Sequence, residues 1–182
     1  MSKILVLNGI PDDSLSALET VLEQAIAARS DAAEINTVRL RDKNIKYCTG
    51  CWDCWVKTPG ICMHKDDLVE LYPEILRADL LLFLTPKSMG FVTSLVKKTC
   101  DRLIPIVHPY FEIHQKEMHH KSRYKHVPKM GLILIDAEKH EEDFQTIRYV
   151  FERLALNLKT ELTIAASISG VEKEVYDAIS TL

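Results

Sequence analysis

Five short apolar runs alternate with amphipathic stretches along the 182 residues of this chain, and that alternation dictates the architecture. Residues 3–8 form a continuous apolar run closed by Gly9 and Pro11, as expected of a strand buried on both faces of a parallel sheet. Residues 14–29 then set Leu15, Leu18, Val21, Leu22, Ala25 and Ile26 on one helical face, with Asp12, Asp13 or Ser14 as the cap. Residues 34–40 alternate as a second strand, and a helix opens at Asp66 or Asp67 and runs to residue 77. Residues 78–84 are a third strand, stopped by Thr85-Pro86, and residues 90–103 are the helix after it. Strand 129–135, helix 141–158, strand 161–166 and helix 171–181 complete the order. The prediction is a doubly wound α/β fold, a five-stranded parallel sheet with helices on both faces.

Two segments depart from the rhythm, a cysteine-rich loop over 42–65 and an excursion over 105–128 with three prolines, five histidines and no period. Neither reads as a linker, so residues 1–182 form a single domain. Apolar residues at 47% and charged residues at 27% exclude a disordered chain. A net charge of −3 gives no reason to expect nucleic acid or an anionic membrane as partner. No run approaches the ~20 apolar residues of a membrane span. The first residues lack a secretory pattern, so the expected address is the cytoplasm, where thiols stay reduced.

In a doubly wound sheet, ligands sit beyond the carboxyl ends of the strands. Those ends are Asn8-Gly9-Ile10, the segment near Cys48, Thr85-Pro86 and Asp136-Ala137. The second of them leads into Cys48, Cys51, Cys54 and Cys62, spaced C-x2-C-x2-C-x7-C around Gly50 and Gly60. Four close thiolates match the ligand count of a [4Fe–4S] cluster, and the tight first three have ferredoxin-type spacing. Zinc, a thiol/disulfide pair and a ligand-free loop packed by Trp52 and Trp55 are the competing readings. Cys100 lies apart in a helix, as a small core residue would.

Cys48-Thr-Gly-Cys-Trp-Asp-Cys54, Gly60-Ile-Cys62, Asp66-Asp67, Ala78-Asp79, Thr85-Pro86, Lys97 and Asp101-Arg102 follow one another in a familiar order. In this the chain resembles the flavodoxin-like NAD(P)H-dependent FMN reductases, and within them the iron–sulfur flavoproteins. The resemblance implies strand order 2-1-3-4-5, bound FMN, NAD(P)H as co-substrate, a homo-oligomer (dimer or tetramer) and, in the iron–sulfur branch, a cluster on the compact cysteine motif. It places Thr85, Pro86, Lys87, Ser88, Met89 and Gly90 at the turn that cradles the flavin ring, although relatives usually carry an aliphatic and an aromatic residue where Lys87-Ser88 stands. It places Asn8, Gly9, Ser14 and Ser16 at the phosphate, with Asp136 at the neighbouring strand end. The phosphate turn departs most from the family. It is short, lacks an arginine and carries Asp12 and Asp13, each of which would weaken binding of a dianion by roughly tenfold if it faced the ligand.

His108, His114, His119, His120 and His126 show no metal-ligand spacing and read as surface or interface residues. Residues 116–126 carry a local +3 that suits a solvated face, the phosphates of NAD(P)H or an acidic partner. Asp66-Asp67 reads as a helix cap. Two functions follow. One is an FMN-dependent oxidoreductase passing electrons from NAD(P)H, through a cluster when one is present, to a small-molecule or protein acceptor. The other is a flavodoxin-like binding or assembly protein that has lost its flavin and keeps zinc or a plain cysteine loop.

Overall fold

The computed structural model describes residues 2–29 and 33–182. Its main sheet contains β1 (Ser2–Asn8), β2 (Ala33–Arg39), β3 (Leu80–Ser88), β7 (Lys129–Ile135) and β8 (Leu162–Ile168), hydrogen-bonded in the order β2-β1-β3-β7-β8. All four pairings are parallel. Counting only these five strands, the order is the expected 2-1-3-4-5. Between β3 and β7 lie β4 (Phe91–Val92), which folds back on β3, and a separate hairpin of β5 (Val107–His114) and β6 (Glu117–Ser122).

Helices α1 (Ser16–Ala27) and α6 (Glu172–Ser180) cover one face of the sheet, burying Leu18, Leu22 and Val175 against Ile4, Val6, Leu82 and Ile133. Helices α3 (Asp67–Arg77), α4 (Ser94–Asp101) and α5 (Glu141–Asn157) cover the other, with Leu68, Ile75, Val96 and Phe151 against Leu5, Leu7, Phe83 and Leu132. Strand residues therefore alternate between two cores. That is why β1, β3 and β7 read as unbroken apolar runs. No helix among the described residues is long and apolar enough to cross a membrane.

Four expectations need correction. The third strand does not stop at Thr85-Pro86. It runs on to Ser88, with Pro86 opposite Ile135 at the end of the ladder, where the missing N–H matters least. The chain then reverses through Met89 and Gly90, both at positive φ, so that Lys87 faces Val92 and Ser88 faces Phe91. The left-handed pair at a two-residue hairpin turn explains the glycine at position 90. The helix placed over 90–103 accordingly starts only at Ser94. The stretch 105–128 is not irregular, because most of it is the β5–β6 hairpin. The helix expected over 14–29 begins as a short 3-10 turn over Asp13–Leu15, capped by Asp12, and becomes regular at Ser16.

Candidate functional site

Two regions at the carboxyl edge of the sheet contain the expected site residues, and they are built in opposite ways. The first is the turn after β1. Gly9 donates its N–H to the Leu84 carbonyl (2.7 Å), and a Cβ there would meet Val96 Cγ2 at 2.3 Å, so only glycine lets the turn sit against α4. Buried Asn8 accepts from the Ile10 N–H (2.9 Å) and donates to Glu19 Oε1 (2.6 Å). Asp12 accepts from the Ser14 N–H (2.9 Å), and the Ser16 N–H goes to the Asp13 carbonyl. Thus the N–H groups of Gly9, Ile10, Ser14 and Ser16 are all committed within the chain, two of them through side-chain oxygens that sit where an anion's oxygens would accept.

Sequence reasoning missed one cation here. Arg41, just beyond β2, reaches the turn and forms a two-pronged ion pair with buried Glu19 at 2.7 and 2.9 Å, with its Nη2 3.5 Å from Asp13. Burial alone would push the Glu19 carboxyl up, but Arg41 and Asn8 hold it below its usual range. The signal for this pair was present. Glu19 lies four residues after Leu15 and three before Leu22, inside the apolar stripe, where an unpaired carboxylate would be costly. Asp12, Asp13 and Glu19 outnumber Arg41 and Arg39, whose Nε lies 4.0 Å from Glu19 Oε1, so the turn as folded does not fit a phosphate dianion.

Thr85–Gly90 and Asp136 lie together at the next strand ends. Thr85 is buried, and its hydroxyl accepts from the Thr93 N–H (3.2 Å), while Thr93 Oγ1 donates to the Gly9 carbonyl (2.9 Å). That chain of bonds ties the ring turn to the phosphate turn. Lys87 neither faces open solvent nor points freely into the crevice. Its Nζ is held by Asp136 (2.9 Å), Asp143 (3.0 Å) and His140 Nδ1 (2.6 Å). Burial raises the Asp136 pKa, but Lys87 and the N–H groups of His140 and Glu138 bring it down to about 2. Met89 and Gly90 project at the hairpin tip, and among the described residues neither N–H has an acceptor. This open backbone suits the carbonyl and nitrogen edge of a flavin ring.

The second region is the cysteine loop. Cys48, Cys51, Cys54 and Cys62 all line one cavity of about 450 Å³, walled by Trp52, Trp55, His64 and Arg102. Gly50 and Trp52 are both left-handed (φ +64° and +65°), and α2 (Asp53–Val56) follows, so the loop turns sharply between Cys48 and Cys54. A non-glycine residue in that conformation is strained, a feature concentrated at functional sites. Cys48 and Cys51 are exposed and Cys54 is buried. Burial, then the proximity of Cys62, Cys51 and Cys48, pushes the Cys54 thiol up to about 11. Among the described residues, no three His, Cys, Asp or Glu side chains stand close enough to grip a single ion directly.

The loop is braced from behind. Trp55 Nε1 donates to the Val107 carbonyl (3.0 Å), and its ring packs on His120 at 4.7 Å. Arg123 donates to the Pro105 carbonyl (3.0 Å) and lies against Gly60. The β5–β6 hairpin is therefore the back wall of the cysteine loop, and part of its basic patch is structural. His119 is not a surface residue. It is buried between Asn157 (2.8 Å) and Glu117 (3.1 Å). Asp66 stands at the start of α3 but makes no capping bond with its side chain. It pairs with fully buried Arg102 (Nη2 to Oδ1, 2.9 Å) and accepts from the Lys46 N–H (2.9 Å), while Arg102 Nη1 donates to the Lys46 carbonyl (3.0 Å). The loop's entry is clamped by one buried ion pair.

Residues 2–123 match the NADPH-dependent FMN reductase family, and the chain belongs to it. Among curated proteins it is similar to an iron–sulfur flavoprotein of Archaeoglobus fulgidus, 35% identical over 102 residues covering 55% of this chain and 48% of that protein. An iron–sulfur flavoprotein of Clostridioides difficile is 32% identical over 102 residues, 54% of this chain and 44% of that one. The chain thus spans about half the length of these relatives. Among solved structures, a putative quinone reductase of Klebsiella pneumoniae superposes with TM-score 0.65 at 14% identity, covering 100% of this chain and 83% of that one. An FMN-dependent NADH-azoreductase of Bacillus anthracis, in complex with FMN, gives 0.62 at 15% identity, covering 100% and 99%. These two are likenesses of fold.

Proposed function

We propose that the chain is an NAD(P)H-dependent flavin oxidoreductase whose Cys48, Cys51, Cys54 and Cys62 hold a [4Fe–4S] cluster, and that it delivers electrons to a small-molecule or protein acceptor. A flavin takes the two electrons of a hydride and releases them singly, and such a cluster takes one at a time. The observation that carries this reading is the convergence of four cysteines on one cavity. A C-x2-C-x2-C run is also less typical of zinc than paired C-x2-C knuckles.

The chain's own residues then divide the work. The Thr85–Gly90 turn offers open N–H groups to the ring, and Lys87 is kept by Asp136, Asp143 and His140 at the crevice wall. Trp52 and Trp55 wall the cysteine cavity, whose Cys48 and Cys51 stay open to solvent. The phosphate turn opposes a dianion, so FMN should bind no more tightly than riboflavin, the reverse of what a dedicated phosphate site would give. The family's homo-oligomeric habit fits the exposed Tyr110, Phe111, Ile113 and Met118 of the hairpin, and a cytoplasmic address fits reduced thiols.

One observation favours the second reading, a binding protein without flavin: the phosphate turn's donors are already used. Anaerobic titration separates the two. The oxidoreductase reading expects flavin uptake and, on adding NADPH, bleaching of the flavin bands followed by the broad cluster absorbance. No uptake of either flavin at high excess would leave the binding-protein reading standing.

A further inference from the structure

Among the described residues, two buried nitrogens on residues lining the cysteine cavity have no hydrogen-bond partner, Arg102 Nε and His64 Nε2. Arg102 is 1% exposed. Its Nη groups bond Asp66 and the Lys46 carbonyl, which fix the guanidinium plane and leave Nε as its one nitrogen without a partner among the described residues. Buried polar groups are almost always hydrogen-bonded, and an exception asks for a partner. Here two such exceptions belong to residues that line one cavity, and the same cavity is lined by all four loop cysteines. The other charged group lining it, Asp101, is held by Lys97 one helical turn back. A cavity lined by four cysteines is thus also lined by two residues with unpartnered buried nitrogens.

We propose that Arg102 Nε–H and His64 Nε2–H donate hydrogen bonds to the sulfur atoms of the centre held by Cys48, Cys51, Cys54 and Cys62, and thereby raise its reduction potential. This rests on the cluster reading above. Donors to sulfur stabilise the more negative, reduced state of such a centre, and hydrogen bonds to the sulfurs are among the levers that set its potential. Arg102 and His64 are positioning residues here. Asp66 in turn aims Arg102, so the buried ion pair sets the direction of the donor as well as clamping the loop.

The test is a potentiometric titration of the full chain after anaerobic reconstitution with ferrous iron and sulfide. Arg102→Lys keeps a cation for Asp66 but has no Nε–H, and His64→Phe keeps a ring but has no donor. Each should load iron as the unaltered chain does and hold a lower midpoint. The expected size is up to a tenfold change in the oxidised-to-reduced ratio at the original midpoint, about 59 mV for one electron. His64→Gln, which restores a donor, should recover part of the shift. Equal midpoints in fully loaded variants would overturn the inference while leaving the cluster intact. Failure of the unaltered chain to take up iron would overturn the cluster reading itself. Should Arg102→Lys not fold, the half-buried His64 pair of variants decides alone.

Discussion

The cysteine cavity and the phosphate turn lie along one edge of the same sheet, yet they treat their polar groups in opposite ways. In the turn, each of four N–H groups is met by the chain's own oxygens, and Asp12 and Asp13 add negative charge. The cavity is lined by four cysteines and by two residues whose buried nitrogens have no partner among the described residues. A region that is self-sufficient has little to gain from a ligand. A region with unpaired donors and crowded sulfurs has much to gain. The unsatisfied groups therefore lie at the cysteine loop and not at the turn after β1.

The sharpest way to break the comparison is to strike the ion pair that holds the cavity's floor. Both side chains of Asp66 and Arg102 are 1% exposed, so Asp66→Asn strands a buried cation and should destabilise the fold by about 3–5 kcal/mol. A urea midpoint that hardly moves would show that the clamp is not where the loop gets its rigidity. Next comes Glu19→Gln, which breaks the pair with Arg41 at the other region. It should destabilise by about 3 kcal/mol, less buried pairs giving smaller losses. It should also free Arg41 for phosphate, raising affinity for FMN but not for riboflavin in parallel fluorescence titrations.

Asp12→Asn and Asp13→Asn sharpen the same contrast at smaller scale. Each should strengthen FMN binding by up to about tenfold and leave riboflavin unchanged. Equal gains for both flavins would mean that these carboxylates act on the shape of the turn and not on the phosphate. The smallest effect concerns acid. Asp136 titrates at about 2 in the fold against an ordinary 3.8, so its contribution is complete above the ordinary value and drains away as pH falls toward 2. In Asp136→Asn, the slope of stability against pH between 4 and 2 should flatten, as chemical denaturation at stepped pH will read out.

Much of the fold was legible because burial on both faces leaves an unmistakable mark. β7 was placed to the residue, and β1 to within one, since nothing polar interrupts either run. The end of β3 was misread because proline usually closes a strand, and only the register with β7 reveals that Pro86 sits where the ladder runs out. The β5–β6 hairpin was illegible for a different reason. Tyr110, Phe111 and Ile113 are consecutive or nearly so and exposed, which erases the alternation that marks a half-buried strand. The cysteines were found by spacing alone, whereas Arg102 and Asp66 are 36 positions apart and only the packing of α3 against the end of α4 unites them. Glu19 was the avoidable miss, since a carboxylate on an apolar stripe asks for a partner.

The account stands on the four cysteines holding an iron–sulfur centre, and metal analysis of the anaerobically reconstituted full chain tests that most directly. The expected result is a brown protein with iron and acid-labile sulfide each at about four per chain, both lost in Cys51→Ser. Stoichiometric zinc, or a colourless chain that takes up no iron while its thiols stay free, would contradict it.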